Sequence, residues 1–389
     1  MSRTTLSRRA FLGTACSAAA SPLFTPVVLA ETPGENRLVV IILRGGMDAL
    51  GVVQPYGDRA LRGLRPALAA RPGDGLLDLD GFFGLADPFQ RLMPLWSAGE
   101  LGFVHAVSTP YRNKRSHFDG QDLLENGGNA ANGALTAGRD GWLNRALARI
   151  PGARAEYAMA VGQERLLLLE GEAPAASWSP TNELSLQEDD RRLLSLLYAG
   201  DPLFAAALKE ADMLSSGSDM ERQRNETGAT LAGFAADQLN KQSRIAAFSI
   251  GGWDTHRNQG RAINRPASSF VEALLTLKQR LGANWQHTTV LAMTEFGRTA
   301  RENGSKGTDH GTGGLMVLAG GAVRGGRVLG DWPGLGDGAL YQERDLMPTD
   351  DVRRYAAWAL AGMMNLDRSD LETSIFPGLD MGGDPGMLA

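Results

Sequence analysis

The sequence predicts an α/β fold in which a mainly parallel sheet has helices on both faces, giving a three-layer sandwich. Three observations predict it. Short apolar runs of strand length recur along the chain. Stretches with helical periodicity separate these runs, as in sheets built from parallel strands and crossover helices. The chain has 389 residues, 43% of them hydrophobic, which is enough for one large domain with its own core.

The predicted strands are residues 38–43, 101–107, 157–161, 165–169, 245–250, 288–293 and 315–319. The main helical patterns lie at residues 219–241, 268–281 and 350–364. Residues 186–214 are also helical in pattern and strongly charged, which is typical of a cap over one sheet edge. We therefore predict a single domain over residues 31–389 with a helical insertion near residues 186–240.

The first thirty residues are expected to lie outside the fold. The sequence SRRAFL at residues 7–12 resembles the twin-arginine (Tat) export signal, with Arg8 and Arg9 as its arginine pair. A stretch of small apolar residues follows and ends in VLA at residues 28–30, which resembles a cleavage site. The alternative is an ordinary basic arm. We expect a signal peptide over residues 1–30, the Tat translocon as a partner during export, and a periplasmic or secreted mature chain.

Charge and composition exclude several classes of protein. The net charge of −5 argues against a nucleic-acid binder, which would need a basic surface to contact phosphates. Cys16 is the single cysteine and lies in the signal, so the mature chain has no thiolate to bind zinc. No other stretch has the roughly 18 unbroken apolar residues of a membrane span, so none is expected in the mature chain.

Acidic and histidine side chains occur where predicted strands end or begin. Ligands of open α/β sheets bind beyond the carboxyl ends of the strands, so these residues are expected to meet at one rim. Oxygen and imidazole donors suit a divalent ion such as Zn²⁺, Mn²⁺, Ca²⁺ or Mg²⁺. Each residue alone also fits an ordinary surface role. The predicted ligands of one or two ions are Asp48, Asp254, His256, Glu295, Asp309 and His310.

Ser116 and His117 follow the second predicted strand. Ser116 fits the N-cap of a helix that starts at His117. The same position offers a hydroxyl at the positive end of a helix, beside Arg112 and Arg115, where a phosphate or sulfate is stabilised. A metal that lowered the pKa of the hydroxyl would make Ser116 a nucleophile. We take Ser116 and His117 as catalytic candidates, and Arg112, Arg115 and Arg298 as substrate-binding candidates.

Several motifs together resemble the domain-of-unknown-function family 1501 along the mature chain. They are VVIILRGGMDAL, RSHFDGQDLLENG, GGWDTH, TEFGRT and TDHGTGGLMVLAGG, preceded by SRRAFL. That family is similar to the alkaline phosphatase and sulfatase superfamily. The resemblance implies an alkaline phosphatase-like fold that acts on phosphate or sulfate esters at a metal site. It also implies that Asp48, Asp254, His256 and His310 are ligands and that Ser116 is the nucleophile.

The chain departs from the superfamily pattern at two points. Phe296 stands where a histidine ligand is expected, and Asp254 and His256 are two residues apart rather than four. A second metal position is therefore weakened, replaced by Glu295 and Asp309, or lost. Two functions stay open: a hydrolase of small-molecule or glycan esters, and a non-catalytic periplasmic binding or assembly protein. A carbohydrate-active surface protein is a third reading, because fold does not imply function.

Replacing Arg8 and Arg9 with lysine should leave uncleaved precursor in the cytoplasm, because the export signal requires the arginine pair. Fractionation and immunoblotting measure the outcome. The matched control is Arg3→Lys, which changes an arginine outside the pair. Unchanged export of the double variant would contradict the assignment.

Overall fold

Continuous apolar strands form the central sheet. The computed structural model describes residues 34–129, 139–179 and 227–389. Its strands are β1 (Arg37–Leu43), β2 (Val53–Gln54), β3 (Arg71–Pro72), β4 (Gly75–Asp78), β5 (Gly84–Ala86), β6 (Leu101–Ser108), β7 (Ala158–Val161), β8 (Ala176–Trp178), β9 (Ile245–Ile250), β10 (Thr288–Met293), β11 (Gly314–Ala319), β12 (Val328–Leu329) and β13 (Asp350–Asp351). Every residue of β1, β6, β10 and β11 is buried, as expected of strands covered on both faces.

Helices fill the connections between these strands. They are α1 (Ala49–Val52), α2 (Leu61–Leu64), α3 (Met93–Ser97), α4 (His117–Asn126), α5 (Trp142–Leu147), α6 (Gly228–Leu239), α7 (Gln259–Ala262), α8 (Asn264–Leu281), α9 (Val352–Met364) and α10 (Arg368–Asp370). Among the described residues, no helix is both long enough and apolar enough to cross a membrane.

The large sheet contains nine of the described strands, in the order β12-β6-β11-β10-β1-β9-β7-β8, with β13 paired to β6. β1 is parallel to both neighbours, with Val39 opposite Val290 on one side and Ala246 on the other. β11 runs antiparallel to β10 and β6. The prediction of a mainly parallel sheet is confirmed. Because β11 is reversed, its first residues lie at the edge where the parallel strands end.

Alternate side chains of β1 enter two separate cores. Val39 and Ile41 pack with residues of α6 and α8 on one face. Val40 and Ile42 pack with residues of α5 and α9 on the other. This alternation is what a strand buried between two helical layers requires. The predicted helix–sheet–helix sandwich is therefore confirmed. A small second sheet, in the order β2-β5-β4-β3, lies outside the main one.

One predicted strand is wrong. Residues 165–169 form a 3₁₀ turn, Leu167–Leu169. The backbone here bonds to a helix side chain and to a loop instead of to a strand. The Leu168 N–H donates to the carboxylate of Glu125 in α4, and the carbonyl of the following residue Glu170 accepts from Gly141 N–H. The apolar run is explained by Leu168 and Leu169, which are buried in the core.

The other predicted elements agree with the structure where it describes them. The pattern at residues 268–281 belongs to α8, which starts earlier, and that at residues 350–364 belongs to α9, with Asp351 as N-cap. From the pattern at residues 219–241 the structure describes α6, capped by Thr227. Residues 1–33, 130–138 and 180–226 lie outside the described residues. The signal peptide and most of the helical insertion therefore stay predictions.

His105 is a buried imidazole in β6 whose protonation should affect stability. It is 1% exposed, its Nε2–H donates to the Val53 carbonyl at 2.9 Å, and its Nδ1 accepts from Ala106 N–H at 3.0 Å. Burial lowers the pKa of His105 to about 4. Both ring nitrogens are already satisfied in the neutral form, so a second ring proton would have no partner.

Stability should therefore fall as the pH drops from about 6.5 to about 4, because the unfolded chain takes up the proton first. The contribution of this histidine is about 3 kcal/mol over that interval. Urea unfolding at several pH values measures it, and His105→Gln should flatten the slope. The control is His287→Gln, at a half-exposed site. Identical pH slopes for wild type and His105→Gln would contradict this account.

Candidate metal centre

Four side chains from three segments of the chain meet at the carboxyl edge of the sheet. Asp254 and His256 follow β9, and His117 begins α4, the helix after β6. His310 precedes β11, so the reversal of that strand is what brings it to the same edge. The predicted convergence at one rim is thus observed for Asp254, His256 and His310, and the structure adds His117.

Each of the three imidazoles is held at Nδ1 by an oxygen acceptor. His310 donates to the Arg115 carbonyl at 2.9 Å. His256 Nδ1 lies 3.1 Å from the Asp309 carboxylate, and His117 Nδ1 lies 2.7 Å from that of Glu295. Carbonyl and carboxylate oxygens accept but do not donate, so the proton sits on Nδ1 in every case. In the neutral imidazole each Nε2 then carries a lone pair, as in histidines oriented to bind a metal.

The three Nε2 atoms face one carboxylate. Nε2 of His256 lies 3.0 Å from Nε2 of His310, and the two lie 3.0 and 3.2 Å from Asp254 Oδ1. Nε2 of His117 is 3.5 Å from Asp254 Oδ2. It is also buried without a hydrogen-bond partner. Ligand atoms of His117, Asp254 and His310 all lie within 4.8 Å of one another.

This arrangement fits a divalent ion. Two imidazole lone pairs 3.0 Å apart repel each other unless a cation or a proton lies between them. The imidazoles of His117 and His310 and the Asp254 carboxylate are a donor set that Zn²⁺ and similar ions accept, with bonds of about 2.0–2.2 Å. His256 lies close enough to His310 and Asp254 to add a third imidazole. A bound ion would also give a partner to Nε2 of His117, which is buried without a hydrogen bond.

The electrostatics of the cluster hold its carboxylates in the charged form. Burial alone would raise the pKa of Asp254, but Arg298 together with His256 and His310 outweighs it and the pKa is lowered. For Glu295, hydrogen bonds from His117 and from backbone N–H groups likewise overcome burial and lower the pKa. The bond to Glu295 raises the pKa of His117, whereas burial lowers the pKa of His310.

Glu295 and Asp309 orient histidines, although the sequence suggested them as ligands. Glu295 is fully buried, and its Oε1 accepts from Gly45 N–H at 2.9 Å as well as from His117. Gly45 has a positive φ of 120°, and a Cβ there would lie 2.5 Å from the Asp254 nitrogen. Only glycine permits this close approach. Asp309 accepts from His256 and also from Asn303 at 3.1 Å.

Asp48 does not join the cluster, and this placement revises its predicted role as a ligand. Its carboxylate is 2% exposed and pairs with the buried Arg65 guanidinium through both oxygens, at 2.5 and 3.0 Å. The Gln259 amide also donates to it. Asp48 is therefore held by a buried ion pair, and α1 starts directly after it.

The three arginines proposed to bind substrate have different surroundings. Arg298 is buried, and its guanidinium donates to Asp254 and to backbone carbonyls. It therefore has no accessible N–H group with which to bind a substrate. Arg112 donates to the carbonyls of Thr109 and Tyr111. Arg115 has a side chain 38% exposed and follows Arg112 in the loop before α4. Of the three, Arg115 alone combines exposure with a place beside the cluster.

Phe296 forms an apolar wall where the resemblance implied a histidine ligand. Its ring centroid lies 5.0 Å from that of His117 and 4.9 Å from that of His310. The ring thereby restricts the rotation of both imidazoles without contributing a donor atom. His117 supplies the additional nitrogen. The signal for it in the sequence was its place beside Ser116, which we read as catalytic.

Ser116 caps α4, as predicted. Its Oγ accepts from Asp119 N–H at 3.4 Å, and its own N–H donates to the Tyr111 hydroxyl at 2.8 Å. The helix begins at His117. Its role as a nucleophile stays a prediction.

The fold and the cluster define an α/β protein with a candidate metal centre at the carboxyl edge of its sheet. A family model described as "Protein of unknown function (DUF1501)" matches residues 102–368, and the chain belongs to that family. A search among curated proteins finds no match.

A search among solved structures finds matches of low similarity. The C-terminal periplasmic domain of EcEptC from Escherichia coli, in complex with Zn, is 9% identical with a TM-score of 0.37, covering 75% of this chain and 74% of that one. Alkaline phosphatase from the Antarctic bacterium TAB5 is 12% identical with a TM-score of 0.30, covering 73% and 90%. A Vibrio parahaemolyticus protein in the alkaline phosphatase superfamily is 12% identical with a TM-score of 0.31, covering 81% and 69%. Such distant similarity says nothing about the chemistry of this chain.

Asp48→Ala should destabilise the fold and leave metal binding intact. Removing the carboxylate leaves the buried Arg65 guanidinium without its partner, which should lower the free energy of unfolding by about 3–5 kcal/mol. His256→Ala is the matched comparison: its side chain is 40% exposed, so its loss should weaken metal binding with little effect on stability. Urea unfolding and zinc titration measure both properties. Loss of zinc binding in folded Asp48→Ala would restore Asp48 as a ligand.

Proposed function

We propose that this chain is an exported, metal-dependent hydrolase of phosphate or sulfate esters. The observation that carries the proposal is the convergence of three Nε2 atoms on Asp254, each imidazole being fixed through Nδ1. His117, Asp254, His256 and His310 would hold the ion, with Zn²⁺, Mn²⁺, Ca²⁺ or Mg²⁺ as candidates. Imidazole nitrogen favours Zn²⁺ and Mn²⁺ over Ca²⁺ and Mg²⁺.

A bound ion would supply Lewis acidity and would lower the pKa of an oxygen nucleophile. The protein's own residues do the rest. Glu295, Asp309 and the Arg115 carbonyl hold the imidazoles at Nδ1, which restricts their rotation before an ion binds. Phe296 excludes water from the side where it packs.

The N-terminus of α4 supports binding of the ester's anionic group. Its first N–H groups have no helical partner and carry the positive end of the helix dipole. Arg115 directly precedes Ser116, and its half-exposed guanidinium lies 4.0 Å from the Asp345 carboxylate. Ser116 stands at this helix start, next to His117, which makes it the candidate nucleophile.

The alternative is a non-catalytic binding or assembly protein with a structural ion. Structural zinc sites are closed, whereas catalytic sites keep a position open for water or substrate. Here the side chains of Asp254 and His256 are 45% and 40% exposed, so solvent reaches the centre. If all four residues bound the ion, water or an ester would have to bind at a fifth position, and the exposed side of the centre leaves room for one, which favours the hydrolase. The substrate is proposed as a small-molecule or glycan ester, acted on in the periplasm or outside the cell.

Ser116→Ala should abolish turnover of p-nitrophenyl phosphate and sulfate in the zinc- or manganese-loaded protein, with metal content unchanged. A lost N-cap by itself costs only about 1 kcal/mol of stability. Thr227→Ala is the matched control, because Thr227 caps α6 in the same way at another place in the fold. Both variants should melt at similarly reduced temperatures, and only Ser116→Ala should lose turnover.

Three outcomes separate the functions. Full turnover in Ser116→Ala would remove the nucleophile and leave a metal-bound water in its place. No turnover of either ester by the loaded wild type would favour the binding protein. A chain that binds no metal and remains folded in chelator would count against the metal centre as a whole.

A further inference from the structure

We propose that the Arg298 guanidinium takes the place of a second cation, so that the centre binds one divalent ion and not two. The inference rests on the metal centre of the proposed function, but it does not depend on turnover.

Arg298 lies in a shell of oxygen atoms. Its side chain is 0% exposed. The acceptors of its N–H groups are the Asp254 carboxylate and the carbonyl oxygens of Gly45, Gly46, Trp253 and Thr308. Carboxylate and carbonyl oxygens are the ligands that hard cations prefer. A guanidinium is always charged and donates five hydrogen bonds in one plane, so it fills this shell as a permanent cation.

Asp254 joins the oxygen shell to the histidine cluster. Its Oδ1 lies 2.6 Å from Arg298 Nη2 and 3.0 Å from His256 Nε2. One carboxylate thus bridges the fixed guanidinium and the position of the divalent ion. A second divalent ion that shared Oδ1 of Asp254 would have to lie where Arg298 already does, while Oδ2 faces His117 at 3.5 Å within the histidine cluster.

The local charge agrees with one ion. The carboxylates of Asp254, Glu295 and Asp309 carry three negative charges, and Arg298 compensates one of them, which leaves two. A single divalent ion balances this remainder. Asp48 is balanced by Arg65, and Asp345 contacts both Arg344 and Arg115, so that group adds one positive charge and argues further against a second ion. Another divalent ion would leave uncompensated positive charge beside a buried guanidinium, where screening is weak.

Counting bound ions tests the inference. Wild-type protein stripped with chelator and checked for folding by circular dichroism is titrated with Zn²⁺ alone, by calorimetry and by elemental analysis after desalting. We expect one zinc ion per chain. Arg298→Lys keeps the charge and should also bind one. Arg298→Ala empties the oxygen shell and should gain a second, weaker site.

Arg301→Ala is the matched control, since Arg301 is an exposed arginine in the same loop and should still give one ion. Two tightly bound ions in the wild type would overturn the inference. So would a folded Arg298→Ala that binds only one. If Arg298→Ala does not fold, the counts for wild type and Arg298→Lys decide. One ion without ester turnover would refute the hydrolase and leave this inference standing, whereas no bound zinc would refute both.

Discussion

The candidate site depends on three hydrogen bonds, one from the Nδ1–H of each clustered histidine to an oxygen. These bonds select the tautomer, and the tautomer decides that each Nε2 carries a lone pair. The acceptors are supplied by separate parts of the chain: Glu295 after β10, Asp309 before β11, and the Arg115 carbonyl before α4. Without them an imidazole could turn its N–H inward, and the cluster would no longer offer three nitrogen donors to a cation.

The sheet topology brings these parts together. β9 and β10 are each parallel to β1, so the loops that follow them meet at one edge. β11 reverses direction, which places the residues before it at that same edge. Gly45 then allows the loop after β1 to approach Asp254 and to donate its N–H to Glu295. The geometry of the centre is therefore set by the backbone as much as by its side chains.

The sequence predicted the fold better than the details of the site. Strands such as β1 and β10 can be recognised in the sequence as continuous apolar runs, because buried parallel strands have no polar face. The run at residues 165–169 misled because apolar burial alone does not distinguish a strand from a packed turn. The position of Asp254, His256 and His310 at the rim was predicted correctly, because each lies directly after or before a strand that the sequence shows.

The sequence could not tell which of the polar rim residues would contact an ion and which would only orient a ligand. Asp48 follows a strand as Asp254 does, yet it pairs with Arg65, a partner seventeen positions away that no local pattern reveals. For a similar reason Glu295, predicted as a ligand, orients His117, which was predicted to be catalytic and lies in the candidate ligand cluster. Which of two polar residues contacts an ion, and which one orients the other, is decided by distances of a few ångströms between separate loops.

The central claim is that three imidazole nitrogens and the Asp254 carboxylate together form one metal site. X-ray absorption at the zinc edge of the loaded protein tests it most directly, since it reports the atoms around the ion without requiring turnover. The account predicts a first shell of nitrogen and oxygen at about 2.0–2.2 Å with the outer-shell scattering of three imidazoles. One imidazole should disappear in His117→Ala. A shell made of oxygen alone, or an unchanged imidazole number in that variant, would contradict it.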